Sequence, residues 1–315
     1  MRYASAAQMV REFLEGPLTR PALMHWRQQH FLSEGGAAFY FGVFDSFDSA
    51  RRWLPVSPEF NAEALQKEYV EVRTRRIFAY DYPVMWWLSS AFRDGAQSIL
   101  DIGGSVGVHY YAYLPFISMP EALCWSIVDV PAAVAMGRTL AAVRKAPALE
   151  FSPNLGESLS RSRADVLLSA GALQYMDNGG AANLIEHMAQ RPTRVILNKL
   201  PLYDGADFVT TQNLGKGCFA PVHVFNRRNF ISSIEAQGYS LRDEWSVHER
   251  ALYLPGFPER SFSHFTGLYF CAEERHGHGC EVDSEARGRS QMTSAVGVLA
   301  SALTLPSWEG RHLSH

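Results

Sequence analysis

The sequence predicts an α/β protein: a mostly parallel sheet of seven strands with helices on both faces, preceded by a helical extension. Three observations predict it. From residue 98 onward, short apolar strand-like runs alternate with helical ones, the pattern of consecutive βαβ units. The first of those runs, SILDI at 98–102, passes through a glycine turn directly into an apolar segment at 108–114 that continues as a helix. The last two strand candidates, 239–245 and 265–271, are joined by a long loop and are close enough in the chain to pair antiparallel.

Taken in order, residues 4–15 place Ala7, Val10, Phe13 and Leu14 at helical spacing, and Gly16-Pro17 stops the run. A second helix is expected over 21–31, followed by a break at Gly35-Gly36. The aromatics of FYFGVFDSFDSARRWLP at 39–55 read as a small apolar subcore, with a turn into a helix at 46–50. Residues 61–87 read as one or two helices, with Ala64, Tyr69, Val72 and Ile77 on one stripe and a break at Pro83. Residues 1–95 are therefore expected to form a mainly helical extension covering a site from above.

The sheet domain is expected over 96–274. Its strands read as 99–102, 125–130, 149–151, 166–169, 195–200, 239–245 and 265–271. Helices fall at 131–143, 180–190 and 230–237, the last with Asn226 as N-cap and Gly238 as its stop. Residues 201–213, PLYDGADFVTTQN, are too long and polar for a tight connection and read as a lid. The tail, 275–315, is expected to be poorly ordered, with at most one short helix. His276, His278 and Cys280 within it lack a fourth ligand at ordinary spacing, so no metal site is expected.

Composition narrows the function. The chain has 315 residues, 47% of them hydrophobic, and a net charge of −3. Its basic runs, RTRR at 73–76 and RR at 227–228, are isolated, which argues against nucleic acid as a partner. Four widely separated cysteines read as reduced thiols of a cytoplasmic protein. No signal peptide is expected, and the longest uncharged apolar tract, 295–305, is too short to cross a bilayer.

The chemistry concentrates at the first turn. Gly103, Gly104 and Gly107 let the backbone approach a ligand and adopt positive φ, and the helix that follows presents free N–H groups. Asp101 stands two residues before the first glycine, and Asp129 ends the next strand, where an acid receives ribose hydroxyls in nucleotide-binding sheets. The order D-I-G-G-S-V-G resembles the D/E-x-G-x-G-x-G signature of class I S-adenosylmethionine (SAM) methyltransferases, with Ser105 in place of the middle glycine.

The resemblance extends over roughly residues 38–272 to a group of bacterial class I methyltransferase-like proteins. It is carried by FYFGVFDSFDSA, LDIGGSVGVHYY, WSIVDVP, LLSAGALQYMDN, VILNKLP, FVTTQN and GYSLRDEW. It implies SAM as cofactor or substrate, held by Asp101, Gly103, Gly104, Ser105, Gly107 and Asp129, with Ser169 and Gly171 at the end of the fourth strand. Asp101 is expected near the methionine end, and the Ser105 side chain could crowd the ligand where the signature has glycine.

SAM carries a sulfonium whose three carbons are electrophilic, so the protein has chiefly to position a nucleophile and exclude water. Tyr175 and Asn198, at adjacent strand ends, are the catalytic candidates, each also readable as a packed residue. Tyr80, Tyr82, Trp86, Gln174 and Gln212 are candidates to enclose the sulfonium, where cation–π attraction is worth about 2 kcal/mol when desolvated. Trp87 and Asn213 extend the same groups. His109 and His223 are the nearby candidates for a general base, neither at a convincing spacing.

Three functions remain open. One is methyl transfer to a small-molecule acceptor in specialised-metabolite or surface-sugar biosynthesis. The second follows from a resemblance to azetidine-2-carboxylate synthases in the pairing of Tyr175 with Asn198: closure of SAM's own amine onto Cγ, with release of methylthioadenosine. The third is a SAM-binding protein without catalysis.

Overall fold

A computed structural model describes residues 19–177 and 180–273, which build two sheets. The expected helix at 4–15 and the tail with His276, His278 and Cys280 lie outside these residues.

The larger sheet has seven strands. Five are parallel: β2 (Ser98–Ile102), β3 (Cys124–Val128), β4 (Leu149–Ser152), β5 (Val166–Ala170) and β6 (Arg194–Leu200). Then β10 (Tyr239–Val247) pairs antiparallel with β11 (Phe265–Ala272), which pairs antiparallel with β6. The order across the sheet is β10-β11-β6-β5-β2-β3-β4. This is the seven-stranded arrangement expected from the sequence, with its reversal between β2 and β5 and one antiparallel hairpin at the edge.

Alternation along the strands explains why both faces are covered. Leu100, Ile102, Leu167, Val195 and Leu197 pack on one face against Leu184 and Ile185 of α8 (Ala181–His187) and Phe230 and Ile234 of α9 (Arg227–Glu235). Ile99, Trp125, Ile127, Leu168 and Ile196 point to the other face. They meet Val84 and Leu88 of α4 (Asp81–Arg93), Ala112 of α5 (Val108–Tyr113) and Val134 of α6 (Pro131–Arg144). Strands buried on both sides must be apolar at nearly every position, and these are. Asp101, Ser169 and Asn198 are the buried polar exceptions.

The smaller sheet refines one expectation and corrects another. The aromatics of 39–55 do form a small apolar cluster, Phe41 stacking on Trp53 at 5.6 Å beside Phe31 and Phe219, and Tyr40–Phe44 enters it as strand β1. Residues 201–213 are not a loop. They enter β7 (Leu202–Tyr203) and β8 (Phe208–Gly215), and β8 turns through Lys216-Gly217 into β9 (Cys218–Asn226). Both turn residues have positive φ, 55° and 73°, as a two-residue hairpin requires. The order is β1-β8-β9-β7, with Tyr40 opposite Gln212 and Phe41 opposite Thr211.

The polar residues that suggested a lid are buried and bonded within this sheet. The Thr210 hydroxyl donates to Gly42 O at 2.7 Å, the Thr211 hydroxyl to Phe41 O at 2.6 Å, and Asn213 Nδ2 to Phe31 O at 2.6 Å. Both sheets belong to a single compact unit, and the β1–β8 pairing crosses the boundary expected at 95/96. The first third remains helical otherwise: α1 (Arg20–Leu32), α2 (Phe47–Trp53), α3 (Glu63–Glu71) and α4. The turn expected at 46 is a capping box, in which Ser46 and Ser49 each accept the other's backbone N–H. Asn226 caps α9 as expected, its Oδ1 accepting from Asn229 N at 2.8 Å.

Candidate functional site

The carboxyl ends of β2, β3, β5 and β6 open into one cavity of about 1180 Å³, roofed by α3, the Arg73–Arg75 turn, β1 and β8. In open α/β sheets ligands bind at this edge, where the strand order reverses.

The glycine turn forms the floor. Gly103 has φ +77°, and a Cβ there would lie 2.1 Å from Ala172 Cβ. A side chain at Gly104 would meet the Asp101 carboxylate at 2.5 Å. Gly107 caps α5 in the left-handed region, φ +93°. Ser105 also sits at positive φ, 54°, where the signature has glycine. Its hydroxyl is engaged with Gln66 Oε1 of α3 at 3.1 Å, and its backbone N–H donates to Asp129 Oδ2 at 2.7 Å. This side chain fastens the turn to the roof and also borders the cavity.

Asp129 borders the cavity and takes a second N–H from Val130 at 2.7 Å. Burial raises its carboxyl to about 6 against these two bonds, which pull the other way. Asp101 does not border the cavity. It is fully buried beneath the turn, where Oδ2 accepts from Trp125 Nε1 at 3.2 Å and pairs with His109 Nδ1 at 2.9 Å. Its Oδ1 has no hydrogen-bond partner among the described residues. Asp101 contacts His109, which does border the cavity. His223 belongs elsewhere: it pairs with Asp207 at 3.3 Å beside a separate hollow.

The enclosing residues divide. Tyr80, Gln174, Gln212 and Tyr175 border the cavity. Tyr82 and Trp86 do not; they are 59% and 62% exposed, because they lie on the side of α4 opposite the face that Val84 and Leu88 bury. Trp87 donates to Asp243 at 2.8 Å and stacks on Tyr269. Ser169 is buried, donating to Ile102 O at 2.9 Å, whereas Gly171 borders the cavity at φ +88°.

The two catalytic candidates also part company. The Tyr175 hydroxyl donates to Gln212 Oε1 at 2.6 Å inside the cavity, and burial holds its pKa well above the ordinary value. Asn198 is fully buried and its amide is committed. Nδ2 donates to Tyr80 O at 2.9 Å, and Oδ1 accepts from Trp245 Nε1 at 3.1 Å and from Lys199 N at 3.0 Å. It holds the roof segment at Tyr80 onto β6, and this position does not offer the amide to a substrate.

The neighbouring lysine is the residue that sequence reasoning passed over. Lys199 borders the cavity with φ +58°, and its side chain passes over Gly171, where a Cβ would stand 3.1 Å from Lys199 Cε. Its Nζ lies 5.3 Å from the Tyr80 ring centroid, and burial lowers its pKa to about 8. The available signal was a charged residue inside the otherwise apolar VILNKLP. Tyr40, Tyr69, Arg73 and Arg250 complete the polar wall. Burial raises Tyr40 to about 12 and shifts Tyr69 and Tyr80 upward, so these phenols remain protonated donors.

No protein-family model and no curated protein matches the chain. Solved structures do. One is the N-terminal domain of EvdMO1, crystallised in the presence of SAH and D-fucose: 14% identity, 67% of this chain and 96% of that one, TM-score 0.42. Another is a 1,6-didemethyltoxoflavin-N1-methyltransferase from Burkholderia thailandensis with bound 1,6-didemethyltoxoflavin and S-adenosylhomocysteine: 15% identity, 70% and 92% coverage, TM-score 0.41. A third is the [4+2]-cyclase SpnF, with 13% identity, 70% and 98% coverage, and TM-score 0.44. At these identities the likeness is one of fold.

Proposed function

We propose that this protein is a SAM-dependent enzyme that transfers a methyl group to a small-molecule acceptor. The reading rests on one observation: the glycine turn and Asp129 form one wall of a cavity of about 1180 Å³, larger than the roughly 300–1,000 Å³ of a pocket for a single ligand. The residues fit the group. Asp129 offers acceptor sites for ribose hydroxyls, Gly103 lets a ligand approach the backbone, and Gln174 Oε1 is a buried acceptor without a partner among the described residues.

SAM supplies an electrophilic carbon on a sulfonium; the protein supplies position and proton acceptance. Lys199, neutral in part near pH 8, is the proton acceptor for an acceptor hydroxyl or amine. Tyr175 and Gln212 orient that nucleophile, and the phenols around them exclude water.

Cyclisation to azetidine-2-carboxylate is the second reading, favoured by the aromatic enclosure of Tyr175 by Phe60, whose ring centroid is 4.5 Å away. In that reading Tyr175 and Gln212, rather than Asn198, hold the amine. One experiment separates the two. Protein incubated with SAM alone and analysed by mass spectrometry yields methylthioadenosine and azetidine-2-carboxylate only if it cyclises. Methyl transfer gives S-adenosylhomocysteine only when an acceptor is added. Neither product with any acceptor extract would refute catalysis.

A further inference from the structure

Acids and cations both line the cavity, but among the described residues Arg73, Arg250 and Lys199 border it without an ion pair. Of the acids, Asp81 accepts from Tyr113 OH and Phe78 N, both at 2.9 Å, Asp129 accepts from Ser105 N and Val130 N, both at 2.7 Å, and Glu59 pairs with Arg51 at 2.8 Å, while Glu34 and Glu68 line the cavity and pair with none of the three cations. Arg73 and Lys199 converge on one ring: Arg73 Nη1 donates to Tyr80 OH at 3.1 Å, and Lys199 Nζ lies 5.3 Å from its centroid. Arg250 borders the same part of the cavity, since its charge and that of Arg73 both act on Tyr69, Tyr80 and Lys199. Partly buried cations without partners are costly, and a guanidinium presents a fork matched to a carboxylate.

We propose that Arg250 and Arg73 form a subsite for the carboxylate of a planar, acidic second substrate, seated among the cavity's tyrosines. This deepens the methyl-transfer reading by naming the acceptor's class, and it rests on that reading for the word acceptor alone. Phe78, whose ring lies 4.8 Å from the Arg73 guanidinium, supplies the flat apolar surface against which such an acid packs. The amino-acid end of SAM carries the same group, so the experiment must tell the two sources apart.

Calorimetry on the full chain with three probes does so: S-adenosylhomocysteine, 5′-methylthioadenosine, which lacks the carboxylate, and benzoate titrated into the S-adenosylhomocysteine-loaded protein. Arg250→Gln and Arg73→Gln are expected to weaken benzoate by about 10–100-fold, the range for a lost charge-assisted hydrogen bond, with both adenosine ligands unchanged. Arg250→Lys, which keeps the charge, restores part of the loss, and an unchanged Tm shows that the variants are folded. Weakened S-adenosylhomocysteine with methylthioadenosine and benzoate unchanged assigns the carboxylate to SAM and overturns the acidic-acceptor proposal. Equal weakening of both adenosine ligands, or no change in any probe, overturns the subsite. If the wild type binds benzoate without either adenosine ligand, and the arginine variants lose it, the SAM reading fails while the subsite stands.

Discussion

The backbone N–H of Ser105 donates to Asp129 Oδ2 at 2.7 Å, so the glycine turn behind β2 and the acid behind β3 form one rigid wall. Asp129 titrates near 6 because burial opposes its ionisation. Ligand hydroxyls that donate to it favour the carboxylate, so ligand binding releases a proton in this range. Affinity for S-adenosylhomocysteine is expected to rise with pH through about 6 and then level off, and calorimetry from pH 5 to 8 checks this. Asp129→Ala removes the dependence and costs about tenfold or more in affinity. A flat profile in the wild type contradicts the assignment.

Lys199 gives a second pH signature. Its pKa in the fold, about 8, lies below its ordinary 10.5. The unfolded chain therefore binds the proton more readily, so stability rises with pH between those values and the buried cation is a burden at pH 7. Lys199→Met is expected to melt higher at pH 7, by on the order of 2–4 °C per kcal/mol relieved. The same variant should lower kcat by about 100-fold or more and abolish the rise of kcat through pH 8. A variant with unaltered kcat removes Lys199 from the chemistry.

The Tyr175–Gln212 hydrogen bond predicts coupling. Tyr175→Phe leaves Gln212 Oε1 buried without its donor, a cost of about 1–3 kcal/mol, and Gln212→Ala in that background should cost less than in the wild type. Both variants are expected to keep methylthioadenosine affinity within about twofold while kcat falls. Chemical denaturation and single-turnover kinetics measure the two effects separately.

Two turn residues at positive φ should respond differently. Gly103→Ala forces a Cβ onto Ala172 at 2.1 Å and into a strained φ, so it should lower Tm and ligand affinity together. Ser105→Gly relieves backbone strain at φ 54° and loses one hydroxyl bond to Gln66, terms of similar size that nearly cancel in Tm. Thermal melts of both variants with and without S-adenosylhomocysteine test this contrast.

The large sheet was legible because strands buried on both faces carry an apolar residue at almost every position and the longer helices between them have a clear period; the short α7 (Leu155–Arg161), LGESLSR, has none and was not expected. Asp129 was legible because it interrupts that pattern at a strand end. β8 was not legible, because FVTTQNLG buries Thr210, Thr211, Gln212 and Asn213 as bonded polar residues, which a pattern of apolar alternation misses. Tyr82 and Trp86 misled because residue type says nothing about which side of α4 faces inward. Arg250 left no signal: it follows β10 in an irregular segment, and only the fold brings it to the cavity wall.

Thr211 of β8 reaches Phe41 of β1 across 170 positions of chain, and this pairing sets the order in which the molecule is assembled. On the ribosome, β1 emerges with no strand to join and stays so while five strands of the large sheet are synthesised. Closing so long a loop is slow compared with forming the local βαβ units. The cavity therefore waits for β8, and for Arg250 beyond it, long after the first βαβ units of the large sheet have been made.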